Sequence, residues 1–290
     1  MSSPEPTAAD VVAAALAAAG DTAEPADPPT AQQAPPEPTW QRFDLATQAR
    51  EGLQAAEEAL AAGQLVVLPT DTVYGIGADA FNPAAVQELL DAKNRGRDMP
   101  PPVLIAEPAM LRALVATVPP EVAALIDRFW PGALTLIMKA QASLRIDLGR
   151  TQGTIAVRVP DHDGARALLR RVGPLAVSSA NVSGQPAATS VEQAIAQLGN
   201  SVAVYLDAGP TPGPVASTII DLASTPDGRI VRAGALTHAD LSQVLTALAD
   251  LPAPEPEPEA GTEPEPEATS APEPETTSET AEHGDADTDA

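Results

Sequence analysis

Two arginines stand inside runs of β-branched residues: Arg158, between Val157 and Val159, and Arg232, after Ile230 and Val231. A guanidinium set in such a run needs an anion or a carboxylate, because an unpaired buried charge is costly. Asp161 or Asp221 would supply a purely structural partner; a bound anion is the other reading. Three more cations, Lys93, Arg95 and Arg97, alternate through "AKNRGR". Arginine grips a polyphosphate bidentately and lysine binds it as a point charge. The same residues also suit the end of a helix, where cations complement the negative pole of the dipole.

Two polar loops carry further chemistry. "LPTDTVYGIG", Leu68 to Gly77, leaves an apolar run and breaks into threonines, an aspartate, a tyrosine and Gly75-x-Gly77. It is no Walker loop, since the two lysines, Lys93 and Lys139, follow no glycine loop; nor does it have the third glycine of a dinucleotide fingerprint. Locally it reads as a tight turn through Gly75 and Gly77, with Tyr74 packed and the threonines capping. "SSANVSG", Ser178 to Gly184, ends another apolar run with small hydroxyl and amide groups. Such groups suit ribose, phosphate or base contacts at the carboxyl edge of a sheet, or an ordinary polar turn.

The elements that must position these residues alternate. Leu45–Gly63 is rich in helix formers and stops at glycine. A strand over Leu65–Pro69 follows. Asn82 and Pro83 open a helix as N-cap and first residue. "PPVLIA", "ALTLIMK", "GTIAVRVP", "LAVSS", "VAVYLD", "STIIDL" and "RIVRAG" read as strands. Helices are expected around Met110–Leu114, Glu121–Phe129, Gly164–Val172, Val191–Leu198 and Ala239–Leu248. Alternation mixed with hairpin-like runs predicts a layered α/β domain, of α+β type, with a mixed rather than purely parallel sheet.

Composition divides the 290 residues unevenly. Residues 1–38 hold six acidic residues and eight prolines, residues 251–290 thirteen and eight, and neither stretch has a Lys or Arg. Together they carry 19 of the net 24 negative charges. Such segments bury too little apolar surface to offset chain entropy, so both read as disordered acidic tails around a domain at 39–250. That domain holds all 16 Lys and Arg against 21 Asp and Glu, a balance that does not favour a general nucleic-acid surface. With no cysteine, disulfides and thiolate metal sites are excluded. His162, His238 and His283 are too scattered for a zinc cluster. The Val11–Gly20 run lacks a basic flank and reads as an alanine-rich helix rather than a signal peptide. No apolar run approaches membrane-spanning length, and a cytoplasmic protein is expected.

In order along the chain, "PTDTVYGIGADA", Lys-x-Arg, "WPGALTLIM", "TIAVRVP", "SSANVSG", "STIIDL" and "IVRAGAL" resemble the YrdC/TsaC family of threonylcarbamoyl-AMP synthases. The resemblance spans about Leu45 to Leu248 and implies a YrdC-like fold, a twisted mixed β-sheet with a concave basic cleft. It implies condensation of L-threonine, bicarbonate and ATP to threonylcarbamoyl-adenylate and pyrophosphate. Partner proteins then use the adenylate to modify tRNA beside the anticodon, making threonylcarbamoyladenosine. By position, Lys93, Arg95 and Arg158 would be the catalytic cations. Thr70, Thr72, Tyr74, Arg158 and Ser217 would bind threonine. Lys93, Arg95, Met99, Thr154, Ser179, Asn181 and Arg232 would bind ATP. Magnesium is expected on the phosphates, held mainly by phosphate and water with Asn181 beside it, and no metal site is assigned to the protein itself.

Gly96 and Pro100-Pro101-Pro102 depart from the family pattern and alter the loop that carries Arg97 and Met99. The acidic tail after Leu248 marks the short, single-domain form. A hydrogenase-maturation carbamoyltransferase would need cysteine-rich zinc fingers and is excluded. An RNA-binding module without synthase activity would need a basic face with exposed aromatics, where this chain has two Trp, two Tyr and three Phe. Direct tRNA contact is left open, and no membrane partner is expected. Deleting 1–38 and 251–290 should leave the melting temperature and adenylate synthesis essentially intact. A large loss of either, in parallel thermal scans and pyrophosphate assays, would show that the tails do more than solvate the ends.

Overall fold

The computed structural model describes residues 38–225 and 227–248. The tail readings for 1–37 and 251–290, and the Val11–Gly20 reading, lie outside the described residues. Strands β1 (Gln41–Asp44), β2 (Val66–Leu68), β3 (Gly75–Asp79), β4 (Val103–Leu104) and β5 (Leu134–Lys139) come first. They are followed by β6 (Thr154–Arg158), β7 (Leu175–Ser179), β8 (Val204–Asp207), β9 (Thr218–Asp221) and β10 (Arg229–Arg232). All ten join one sheet in the order β1-β8-β2-β3-β7-β4-β6-β5-β9-β10. The pairs β1/β8, β2/β8, β4/β6 and β5/β9 are parallel, and the remaining neighbours antiparallel. The mixed sheet expected from the sequence is present.

Helices cover the sheet incompletely, and that places the site. Alternation along the strands sends Val66, Leu68, Leu104, Leu175 and Val177 to one face, beneath α1 (Ala49–Ala61) and α5 (Asp163–Val172). On the other face, Val67, Ile76 and Ala78 pack against α2 (Pro83–Ala92) and α6 (Val191–Leu198). Further along that face, Val103, Leu134, Leu136, Val157 and Ile220 pack with α3 (Leu111–Leu114), α4 (Pro120–Phe129) and α7 (His238–Ser242). The registers Leu104↔Arg158, Ile137↔Ala156 and Thr135↔Ile219 continue the first face past its helices. Arg158, Ala156, Thr135, Ile137 and Ile219 there line a cavity. Among the described residues no helix is long and apolar enough to cross a membrane.

Local rules held at several ends. Asn82 accepts the N–H groups of Ala84 and Ala85 at the start of α2, with Pro83 at its first position. At the other end Asn94 adopts φ +50° and the Arg95 N–H closes on the Leu90 carbonyl, a left-handed helix stop. Three expectations need correction. Gly75 and Gly77 are not a turn: they lie in β3, paired with Ser179 and Val177 of β7. Glycine is required there because a Cβ on Gly75 would come within 2.6 Å of Val177 Cγ1, and one on Gly77 within 3.3 Å of Leu68 Cδ2. The last helix, expected to Leu248, ends at Ser242. Ser242 Oγ bonds back to the His238 carbonyl at 2.7 Å, a local competitor of the helical ladder. Leu241, Leu245 and Leu248 are buried all the same. Finally, β1 was not expected: its parallel pairing with β8 is a long-range contact, secured by Trp40 edge-on to Tyr205 at 5.4 Å.

Gly75→Ala should destabilise the fold by about 1–3 kcal/mol through overpacking against Val177. Adding Val177→Ala should return part of that loss, read as urea midpoints of the single and double variants. Strictly additive losses would mean that the close approach is not the reason for glycine.

Candidate active site

The cavity has a volume of about 250 Å³. Its polar wall comes from several parts of the chain: Thr70 and Thr72 between β2 and β3, Arg95 after α2, Thr135 on β5, Thr151 before β6 with Thr154 and Arg158 on it, Ser178 and Ser179 on β7, Ser217 before β9 and Arg232 at the end of β10. Pro100, Pro101, Pro102, Leu148, Ile137 and Ile219 supply apolar wall. The three prolines noted as a departure therefore shape the cavity directly. Hydroxyl and guanidinium groups are paired along this wall, Thr72 with Arg158, Ser178 with Arg95 and Ser217 with Arg232, around a largely apolar hollow, the usual build of a small-molecule site.

Arg158 is the most constrained cation. Its Nε donates to the Gly132 carbonyl at 2.9 Å, Nη1 to Thr72 Oγ1 at 3.2 Å and Nη2 to Asp71 Oδ1 at 2.6 Å. Its carboxylate partner is thus Asp71, the residue between the two loop threonines, and not Asp161 or Asp221. Asp71 also accepts the Asp161 N–H at 3.0 Å, tying the β2–β3 turn to the end of β6. Asp221 instead lies 3.6 Å from Arg229. Burial lowers the Arg158 pKa, with the Asp71 charge opposing. Two of the five guanidinium N–H groups of Arg158 stay unspent, one on each terminal nitrogen.

Arg232 has no carboxylate partner among the described residues. Nε and Nη2 donate to the Ser217 carbonyl at 3.1 and 2.7 Å, and Nη2 also to Ser217 Oγ at 3.0 Å. Burial, then the positive charges of Arg158 and Arg95, lower its pKa. Arg95 Nη1 donates to Ser178 Oγ at 2.9 Å, while its buried Nε has no partner. Burial lowers the Arg95 pKa, against the pull of Asp98. An arginine does not give up its proton under such pressure, so the wall is a concentration of positive charge suited to an anion.

The structure gathers Thr70, Thr72, Arg95, Thr154, Arg158, Ser179, Ser217 and Arg232 around the cavity. Thr70 Oγ1 donates to the Val73 carbonyl at 2.6 Å and lies 3.1 Å from Thr72 Oγ1. Thr154 Oγ1 donates to the Thr151 carbonyl at 2.7 Å. Tyr74 also lines the cavity. Its ring is fully buried, its hydroxyl donates to the Gly209 carbonyl at 2.7 Å, and burial raises its pKa to about 12.

Lys93, Met99 and Asn181 are not part of the cavity wall. Lys93 is buried, and its ammonium donates to the carbonyls of Ser179 and Asn181 from beneath that loop. Burial, reinforced by Arg95, lowers its pKa to about 8. Met99 is 47% exposed, and its neighbour Arg97 points away to Gln87 and Asp147. Asn181 spends its amide N–H groups on the Val182 and Gln185 carbonyls, leaving Oδ1 buried and unpartnered. No group of three or more His, Cys, Asp or Glu comes together among the described residues. One neutral amide oxygen does not make a magnesium site.

Sequence reading missed Asp71, Ser178 and Thr135. Asp71 and Ser178 lie inside the quoted motifs, so their side chains were legible as types but not as partners. Thr135 is a hydroxyl in an otherwise aliphatic strand, which is a signal of its own.

The Sua5_yciO_yrdC family model, described as "Telomere recombination", matches residues 58–234. A Mycobacterium leprae (strain TN) protein, named as a candidate threonylcarbamoyl-AMP synthase, is 54% identical over 206 residues, 70% of this chain and 93% of its own. The threonylcarbamoyl-AMP synthase of Bacillus subtilis (strain 168) is 38% identical over 206 residues, 70% of this chain and 58% of its own. The crystal structure of Pyrococcus abyssi Sua5 complexed with L-threonine is similar with a TM-score of 0.69 at 32% identity, covering 73% of this chain and 62% of that one. Escherichia coli YciO shares the fold, with a TM-score of 0.63 at 24% identity over 70% of this chain and 99% of its own. With more than half its length matched, and with a relative this similar along almost its whole sequence, the chain belongs to the Sua5/YciO/YrdC family.

Proposed function

We propose that this protein is a threonylcarbamoyl-AMP synthase, with residues 39–250 as its one catalytic domain. The observation that carries the reading is the convergence of Arg95, Arg158 and Arg232 on one cavity in which, among the described residues, only Arg158 has a carboxylate partner. A reaction that brings together a substrate carboxylate, a carbamate and a triphosphate needs that excess of fixed positive charge. The names of the relatives point the same way.

The chemistry balances without a covalent nucleophile. The threonine amine attacks the carbon of bicarbonate and water leaves, giving the carbamate. A carbamate oxygen attacks the α-phosphorus of ATP as the bond to the β-phosphate oxygen breaks, releasing pyrophosphate. Arg158, locked by Asp71, Thr72 and Gly132, offers its two unspent N–H groups to the threonine carboxylate. Thr70, Thr72 and Ser217 line the amino-acid end. Arg95 and Arg232, with Thr154 and Ser179, take the nucleotide and its phosphates. Lys93 and Asn181 act from behind, holding the loop that presents Ser179, with the Lys93 charge added from beneath. Magnesium enters on the ATP phosphates, held by phosphate and water. The adenylate passes to partner proteins that modify tRNA in the cytoplasm.

Pyrophosphate release by the purified chain should require both threonine and bicarbonate. Tight tRNA binding without that release would overturn the reading in favour of an RNA-binding module. Arg95→Ala should cut release about a hundredfold, the scale for losing one preorganised donor. It should leave the unfolding midpoint unchanged or higher, because a half-paired buried guanidinium is lost. A normal rate in that variant would misplace the phosphates.

Lys93 makes a separate prediction about stability. Its folded pKa of about 8 lies below the usual 10.5, so the unfolded chain binds the extra proton between these values. Stability from this group therefore rises with pH across that window, and the burial penalty is complete below it. The stability of wild type relative to Lys93→Met, from urea melts at pH 7 and 10, should improve at the higher pH. A flat difference would mean that the ammonium is not held as the structure shows.

A further inference from the structure

Thr135 carries a hydroxyl where valine would fill the same space. Its neighbours Leu134 and Leu136 pack into the apolar side of the sheet, while Thr135 and Ile137 face the cavity. Thr135 is 1% exposed, and its Oγ1 has one partner among the described residues, Ser217 Oγ at 2.9 Å. A buried hydroxyl whose proton finds no acceptor is destabilising. Either hydroxyl can donate in this contact; Thr135, 1% exposed against 4% for Ser217, is the deeper of the two, so its proton takes the internal acceptor and Ser217 accepts. Ser217 Oγ also accepts an N–H of Arg232 Nη2 at 3.0 Å. Both acceptor positions of Ser217 are then filled, and its own proton has no acceptor among the described residues. Ser217 stands on the cavity wall, so that proton is presented to whatever fills the cavity.

The backbone around it is fixed independently. Arg232 clamps the Ser217 carbonyl through Nε and Nη2. Gly234 passes so close that a Cβ there would lie 2.4 Å from the Ser217 carbonyl carbon and from the Thr218 nitrogen. What remains free is the rotation of the Ser217 hydroxyl, and the Thr135 contact removes it.

We propose that Thr135 is a positioning residue which, with Arg232, holds the Ser217 hydroxyl as an oriented hydrogen-bond donor to an oxygen of the bound amino acid. The proposal deepens the synthase reading and rests on it. An oriented donor needs no reorganisation when the ligand binds or reacts, which is where its benefit lies.

The test uses the full chain, with threonine affinity from calorimetry and threonine KM from pyrophosphate release. Thr135→Val should weaken both about three- to tenfold, the range for one net hydrogen bond, at little cost in melting temperature. Thr135→Ser should restore both towards wild type. Ser217→Ala should show a loss of its own, and the Thr135→Val/Ser217→Ala double variant no more than that loss. Wild-type affinity in Thr135→Val, single losses that multiply in the double variant, or a serine that fails to rescue would each overturn the proposal. A wild type that binds threonine but releases no pyrophosphate would overturn the synthase reading, while the affinities still judge Thr135. A wild type that does not bind threonine overturns both.

Discussion

Three guanidinium groups share one cavity wall, and among the described residues Asp71 is the single carboxylate hydrogen-bonded to any of them. Their mutual repulsion and lost hydration oppose folding, and the usual escape, giving up a proton, is closed to arginine. The charges persist because each is fixed by a different part of the chain. Arg158 hangs from β6 and is tied to the β2–β3 turn and to Gly132. Arg232 closes on the Ser217 backbone, and Arg95 on Ser178. An anionic ligand would relieve what these contacts only contain, and the uncompensated charge lowers the stability of the fold.

Holding those charges makes strand register a functional quantity. Side chains alternate with a period of two, so a one-residue slip of β6 would drive Arg158 into the apolar side beside Val103 and turn Val157 out to the cavity. The parallel pairing Leu104↔Arg158 and the antiparallel Leu136↔Val157 lock it from both flanks. Where α1 and α5 stop covering this face, Thr135, Ala156, Arg158 and Ser179 join Ile137 and Ile219 on it. Gly75 lines the cavity and, with Gly77, accommodates the crossing Val177 and Leu68 side chains. The hollow is a gap in helical cover above a sheet that continues beneath it.

Much of this was legible in sequence because it is encoded locally. Asn82-Pro83 announced α2, alternation announced β5 and β6, and an arginine between valines announced Arg158 as a charge in need of a partner. The partners were not legible, since Asp71 meets Arg158 across 87 residues and only the sheet brings them together. Of the two partners the sequence offered, Asp161 contributes its N–H to the same carboxylate instead, and Asp221 lies beside Arg229. Gly75 and Gly77 misled for a related reason. Glycine is demanded by turns and by close packing alike, and which one applies depends on Val177, far along the chain. Strand β1 was invisible because its pairing with β8 is non-local, and α7 was overextended because a serine hydroxyl can compete with the helical ladder.

The basic turn after α2 shows how two adjacent cations come to do different work. Asn94, at φ +50°, turns the backbone between them, so Lys93 and Arg95 leave in different directions. A compact ammonium fits under the Ser179–Asn181 loop, with donors for two carbonyls at once. A planar guanidinium in its place would have to bury a larger fork where only carbonyl oxygens await it. Arg95 takes the complementary position, reaching Ser178 from the cavity side. The pair therefore grips the end of β7 from below and from the open face. The two cations of Lys-x-Arg thus differ in their contacts: the lysine is spent on the carbonyls of the loop, and the arginine stands on the cavity wall.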